Sequence, residues 1–293
     1  MSNGILLLDK PQGLSSNAAL QRVRWALGRV KGGHTGSLDP LATGMLPICL
    51  GEATKVAGFL LDGDKRYRFT MRLGQRTATG DLEGEVVEQG EVPVDVGAAL
   101  SAVLPQFIGA IEQVPPMYSA LKQGGERLYR LARQGIEVER PPRRVDIRAL
   151  TLEAVEGSEA TFEVCCSKGT YVRTLAEDLA KAVGSCAHLT MLRRVSVAPF
   201  GEAPMVTLEQ VQANPAAVPL LPPDAALPHL AAATLSEVSA ARFLHGQAVV
   251  AILDAQPDVE GALMRVYDTA GCFLGIARTQ IDHSLQPVRI FNR

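Results

Sequence analysis

No stretch of this chain is apolar for long enough to cross a membrane. The longest runs, residues 5–8, 45–50 and 56–61 (the last broken by Gly58), fall far short of the ~20 residues that a span requires. The first ten residues, MSNGILLLDK, lack the basic opening of a signal peptide and meet an acid at residue 9, so a cytoplasmic protein is expected. Cysteine is scarce: Cys49, Cys165, Cys166, Cys186 and Cys272 form no C-x-x-C, and an odd number cannot all pair. They read as reduced thiols packed as small hydrophobes. Cys186 and His188 lie two apart with no second ligand pair at zinc-like spacing, so no metal site is expected. Aromatics make up only 5%, with a single tryptophan, and the net charge is −2 with a sequence pI near 6.2. Those averages give no sign of a polyanion-binding surface.

What the chain does have is core-forming material. Hydrophobic residues make up 47% and charged residues 20% of its 293 residues, which excludes wholesale disorder. At roughly 150 residues per domain the length suggests about two domains. The charge is also unevenly spread. Residues 1–80 hold 11 Lys/Arg against 5 Asp/Glu, residues 81–95 hold six acids and no base, and residues 117–150 hold 8 against 4. Such patches permit an anionic partner that the total conceals.

Periodicity places the elements. Residues 5–8 read as a short strand, and Ser15 or Ser16 can cap a helix carrying Leu20, Val23 and Leu27, with Gly28 near its end. Residues 65–73 alternate: Arg66, Arg68, Thr70 and Arg72 on one face, Tyr67, Phe69, Met71 and Leu73 on the other. Residues 161–167 form another strand, and Thr170 is placed to cap a helix with Val172, Leu175, Ala176, Leu179 and Val183 inward, ending at Gly184. No G-x-G-x-x-G follows the first strand, so a Rossmann fold is not expected. Residues 214–234 carry five prolines and read as an extended connector. Beyond it, residues 263–266 and 272–277 flank a turn at Asp268 to Gly271, a hairpin in a small β-rich unit. The class is α+β, or mixed α/β, around a sheet, with boundaries expected at residues 1–225 and 226–293.

The densest unexplained segment is residues 32–47, GGHTGSLDPLATGMLP. It shows neither helical nor strand period, and without Gly-Lys-Ser/Thr it is no phosphate-binding P-loop. It reads as a long irregular loop displaying His34 and Asp39, with Pro40 biasing Asp39 toward extended backbone. A structural histidine and a turn-forming aspartate fit the same pattern. Arg173 stands in the first turn of its helix, against the macrodipole. Either Glu177 at i+4 offsets it, or a carboxylate elsewhere does, which would favour the ionised form of that acid. Tyr67 sits on an apolar strand face and Tyr171 beside the helix start, each compatible with core or site. Arg66, Arg68 and Arg72, near Arg140, Arg143 and Arg144, form either a solvated face or a phosphate track.

These residues resemble the TruB-type pseudouridine synthases. The loop GGHTGSLDPLATGMLP matches over its whole length, and LLLDKPQGLSS, GEATK, DKRY, PPMYSALK, SKGTYVRTLAEDL and LTMLRR follow in register across residues 6–194. The resemblance implies the pseudouridine synthase fold: a central mixed, largely antiparallel sheet flanked by helices, with a small PUA-like RNA-binding domain at the C-terminus. It implies isomerisation of uridine 55 in the TΨC loop of tRNA, by flipping of the base, without metal or cofactor. No protein partner is implied, and a monomer is the default. By this resemblance Asp39 is the catalytic aspartate, paired with Arg173. Tyr67 stacks on the base, Tyr171 and Leu192 line its pocket, His34 holds the RNA loop, and Lys10 with Pro11 supports the catalytic loop from below. A non-catalytic RNA-binding or RNA-folding protein on the same fold, or a synthase acting on another RNA, are the alternatives.

Overall fold

The computed structural model describes residues 3–250 and 260–292. In chain order, the elements around the site are β1 (Gly4–Lys10), α1 (Ser16–Ala26), β2 (Gly32–His34), β3 (Thr43–Leu50) and β4 (Lys65–Leu73). They continue with β5 (Gly109–Gln113), β6 (Arg143–Glu156), β7 (Glu159–Cys166), α2 (Val172–Ala182), β8 (Ala187–Val197) and β9 (Val206–Thr207). These nine strands form one mixed sheet in the order β9-β1-β3-β8-β4-β7-β6-β5, with β2 also on β3. Only β1–β9 and β3–β8 run parallel. The remaining pairs are antiparallel.

The alternation in β4 buries Phe69, Met71 and Leu73 on the face that α1 and α2 cover. Phe69 stacks on Phe162 of β7 at 5.1 Å between centroids. The arginines on the other face are not an open track. Arg66 pairs with Glu163 and Glu202, Arg68 with Glu153, and Arg72 with Glu159. Acids from nearby strands and a turn neutralise them, and Arg72 and Glu159 stand on facing positions of the β4–β7 ladder. In α1, Ser15 is the cap, its side chain accepting from the Ala18 N–H. At α2 the expected cap differs: Thr170 donates to the Ser167 carbonyl 3.0 Å away, closing the preceding turn, and Tyr171 holds the N-cap position without a side-chain bond.

Two further expectations change. The irregular loop is shorter than residues 32–47, because both of its ends are strands. Strand β3 is buried on both faces along most of its length, so its residues do not alternate and leave no period-2 signal. The proline-rich connector is not free either. Ile5 and Leu221 exchange backbone bonds at 2.8 and 2.9 Å, and the connector's last residues belong to a strand, β10 (Ala231–Leu235). With β11 (Leu263–Asp268), β12 (Phe273–Thr279) and β13 (Leu285–Ile290) it makes a second, four-stranded sheet. Asp268 Oδ1 accepts from the Ala270 and Cys272 N–H groups to close its hairpin. This sheet packs Ile276 and Phe291 against Ile5, Leu7, Met45 and Cys49, on the back of the main sheet. Among the described residues no helix is long and apolar enough to cross a membrane.

Candidate active site

The site forms where strand β3 changes partners. Its first residues, Thr43 and Gly44, pair with β8, while its last three pair with β2. Residues 35–42 span that change and carry Asp39. Three buried side chains fix the segment. Ser16 of α1 donates to the Leu38 carbonyl (3.1 Å) and accepts from the Leu38 N–H (2.7 Å). Arg194 of β8 donates to the Gly36 carbonyl (3.0 Å) and the Met45 carbonyl (2.7 Å), one on each side of the loop. Lys10 donates to the carbonyls of Leu14 (2.6 Å), Pro11 (2.9 Å) and Pro40 (3.4 Å), directly under the residue after Asp39. Such buried bonds to main chain hold a loop in one conformation because breaking any leaves an unpaired polar group.

Arg173 approaches Asp39 from the first turn of α2. Its guanidinium lies 3.0 Å from Asp39 Oδ2 and donates at 2.6 Å to both the Thr79 and Tyr118 carbonyls. Its Nε is 4.0 Å from Asp81 Oδ2. Two carboxylates and two carbonyls thus offset the unfavourable helix dipole, and no ion pair to Glu177 forms. Asp81 is itself buried and held by the Thr79 hydroxyl (2.5 Å) and the Glu83 N–H (3.0 Å).

Burial dominates the electrostatics. It pushes the Asp39 carboxyl above its ordinary range; Arg173 pulls it back and Asp81 raises it again. Burial brings Lys10 down to about 8, partly resisted by Asp39. His34 is lowered by burial and by Arg194, while the phenols of Tyr67 and Tyr171 are raised by burial. The carboxylate is half-exposed toward the open side, beside an almost fully buried guanidinium, an arrangement of the kind that clusters at functional sites.

That side is a cleft of about 630 Å³, with His34, Asp39, Asp81, Ser119, Tyr129 and Arg173 in its wall. The volume suits a nucleoside-sized ligand. Of the residues singled out from sequence, His34, Asp39 and Arg173 meet there, and the other four are not in the wall. Lys10 lies beneath the loop. Tyr67 is half-buried against the core, opposite Arg194 in the sheet. Leu192 is buried opposite Phe69. Tyr171 is half-buried, and the Gln113 side chain clamps its backbone, accepting from its N–H at 3.0 Å and donating to its carbonyl at 3.3 Å. Ser16, Asp81, Gln113 and Arg194 are site residues that sequence reasoning missed. Asp81 was hidden in the acidic run 81–95; its sign is the preceding Gly80, at φ +75°. The described residues contain no cluster of three or more His, Cys, Asp or Glu able to hold a metal ion.

Comparison with known proteins settles the family. Residues 24–172 match the N-terminal domain of the TruB family pseudouridylate synthases. The chain belongs to the TruB pseudouridine synthase family. Residues 173–218 match the tRNA pseudouridylate synthase B C-terminal domain, and residues 231–291 the C-terminal domain of pseudouridine synthase II TruB. The tRNA pseudouridine synthase B of Stutzerimonas stutzeri (strain A1501) is 50% identical over 296 residues, covering 98% of this chain and 95% of that protein. Its counterpart in Burkholderia mallei (strain NCTC 10247) is 51% identical over 293 residues, covering 98% and 96%. A solved Cbf5–Nop10–Gar1 complex aligns with a TM-score of 0.73 at 25% identity, over 99% of this chain and 84% of that one. As a TruB-family member the chain is a pseudouridine-forming isomerase, and its α+β class with a mixed, largely antiparallel sheet is that of the family.

Proposed function

We propose that this chain converts uridine 55 in the TΨC loop of tRNA to pseudouridine. The observation that carries the reading is the Asp39–Arg173 pair at the mouth of a nucleoside-sized cleft. The reaction breaks the N1–C1′ bond, turns the base over and joins C5 to C1′. A base inside folded RNA must first be flipped out, at a cost of a few kcal/mol. On this reading the flipped base passes beyond the cleft wall to stack on Tyr67, which returns about 1–3 kcal/mol. Tyr171 and Leu192 then bound the base, and His34 holds the RNA loop that it leaves. Asp39, whose ionised form Arg173 favours against its desolvation, attacks the base at C6 or the sugar at C1′, or removes a proton during glycal formation. Lys10 carries the loop from below. On this reading residues 1–225 are catalytic and residues 226–293 bind RNA. The chain acts on tRNA as a cytoplasmic monomer, with no protein partner and no cofactor.

The test is incubation with an unmodified tRNA transcript followed by mapping of pseudouridine. Product at position 55 alone is the expected result; product elsewhere, or none, would overturn the reading. Tritium release from C5-labelled tRNA should vanish in Asp39→Asn and Asp39→Ala while tRNA binding persists. Tyr67→Leu should keep RNA affinity and lose most of the rate; a rate near wild type returns Tyr67 to the core.

A further inference from the structure

The face of α1 turned away from the core bears a pattern that the cleft chemistry does not use. Arg22, Arg24, Arg29 and Lys31 are accompanied by no Asp or Glu between residues 11 and 38. The inward residues Ser16, Ala19, Leu20 and Val23 bury one side of the helix. On the other, Arg22 and Trp25 are exposed at a spacing of three, and Arg29, past the helix end, is exposed beside them. Trp25, the chain's only tryptophan, is 63% exposed. Arg29 lies over its ring, with the guanidinium carbon 3.8 Å from the centroid. Gln21, Arg24, Trp25 and Arg29 line a small cleft of about 230 Å³. No ion pair engages Arg22, Arg24, Arg29 or Lys31 among the described residues. Glu52, whose carboxyl Lys31 helps to draw down, is itself taken by Lys55.

This face is continuous with the catalytic cleft. Asn17 is in the wall of that cleft, its Oδ1 accepts from Gln21 Nε2 at 3.3 Å, and Gln21 Oε1 accepts from Arg24 Nη1 at 2.9 Å. From Asn17 to Trp25 the helix climbs about 12 Å, the reach of a few nucleotides. An exposed indole beside guanidinium groups that no carboxylate pairs suits two features of a nucleic acid: π-faces that stack and phosphates that take bidentate guanidinium bonds.

We propose that the Trp25–Arg29 face is a second RNA-docking surface, which holds the strand of the substrate RNA that continues from the nucleotide in the catalytic cleft. The proposal rests on the tRNA reading above. Because Trp25 is the only tryptophan, its emission reports on this face alone. Titrating unmodified tRNA into the full chain should quench Trp25 emission, with a midpoint matching the affinity obtained by filter binding. Trp25→Ala/Arg29→Ala should weaken tRNA binding roughly tenfold, or about 1.4 kcal/mol, with the single-turnover rate at saturating tRNA unchanged. Its log Kd against log salt should be flatter by about one phosphate contact. Saturating tRNA that leaves the emission unchanged, or a double variant that binds as wild type does, would overturn the proposal. Either outcome with pseudouridine still formed at position 55 leaves the tRNA reading standing. Absence of pseudouridine, with quenching intact, sinks the tRNA reading instead.

Discussion

Arg173 sits 3.0 Å from Asp39 with 5% of its side chain exposed, while Asp39 keeps 41% of its own open to the cleft. The guanidinium is therefore spent on the protein, and the carboxylate is left facing whatever enters. Burial raises the Asp39 pKa and Arg173 lowers it; with Asp39 as the proposed catalytic group, the acid limb of the rate profile should report that balance.

Arg173→Lys should move that limb to higher pH. A raised carboxyl is ionised only above its folded pKa, and lysine cannot reproduce the forked contacts to Asp39, Thr79 and Tyr118. At neutral pH the rate should fall by roughly a hundredfold, the scale for losing one electrostatic donor at an active site. Single-turnover rates from pH 5 to 9 check both.

A second titration belongs to Lys10, lowered to about 8. Below that pH the ammonium holds the Pro11, Leu14 and Pro40 carbonyls; above it one proton is lost and the loop beneath Asp39 slackens. The rate should decline as pH rises through about 8, while Lys10→Met should be slow throughout and lack that decline. The same profile, extended to pH 10, measures it.

Ser16→Ala removes both bonds to Leu38, the residue before Asp39. Leaving a buried carbonyl and N–H without their partner should cost about 1–3 kcal/mol in urea unfolding. The rate should fall more than the affinity does, because the loop loses its register while the RNA-binding face stays.

Gly44→Ala should fail to fold. At φ +96° a Cβ there would stand 2.2 Å from the Arg194 carbonyl oxygen, which is backbone and cannot yield. Destabilisation of at least about 3 kcal/mol is expected from clash and strained φ together, read as insoluble expression or a much lower Tm.

The sequence by itself determined the local elements whose periodicity is one-sided: β4 with its inward Phe69, Met71 and Leu73, α1 after Ser15, α2 down to Gly184. It also carried the family, through a loop too unusual to be structural filler, and with it the expected pairing of Asp39 with Arg173, which lie 3.0 Å apart. It misread β2, β3 and β10, since a strand of three residues, one buried on both faces, or one following a proline-rich run leaves no alternation to detect. It could not place Ser16, Gln113 or Arg194 in the site, because each acts on main-chain groups far away in sequence. Nor could composition show that Glu153, Glu159 and Glu163 neutralise the arginines of β4, while those around Trp25 stay free of ion pairs among the described residues. Only the tertiary structure decided which charges meet, because pairing depends on strand register and helix docking rather than on the count of acids and bases.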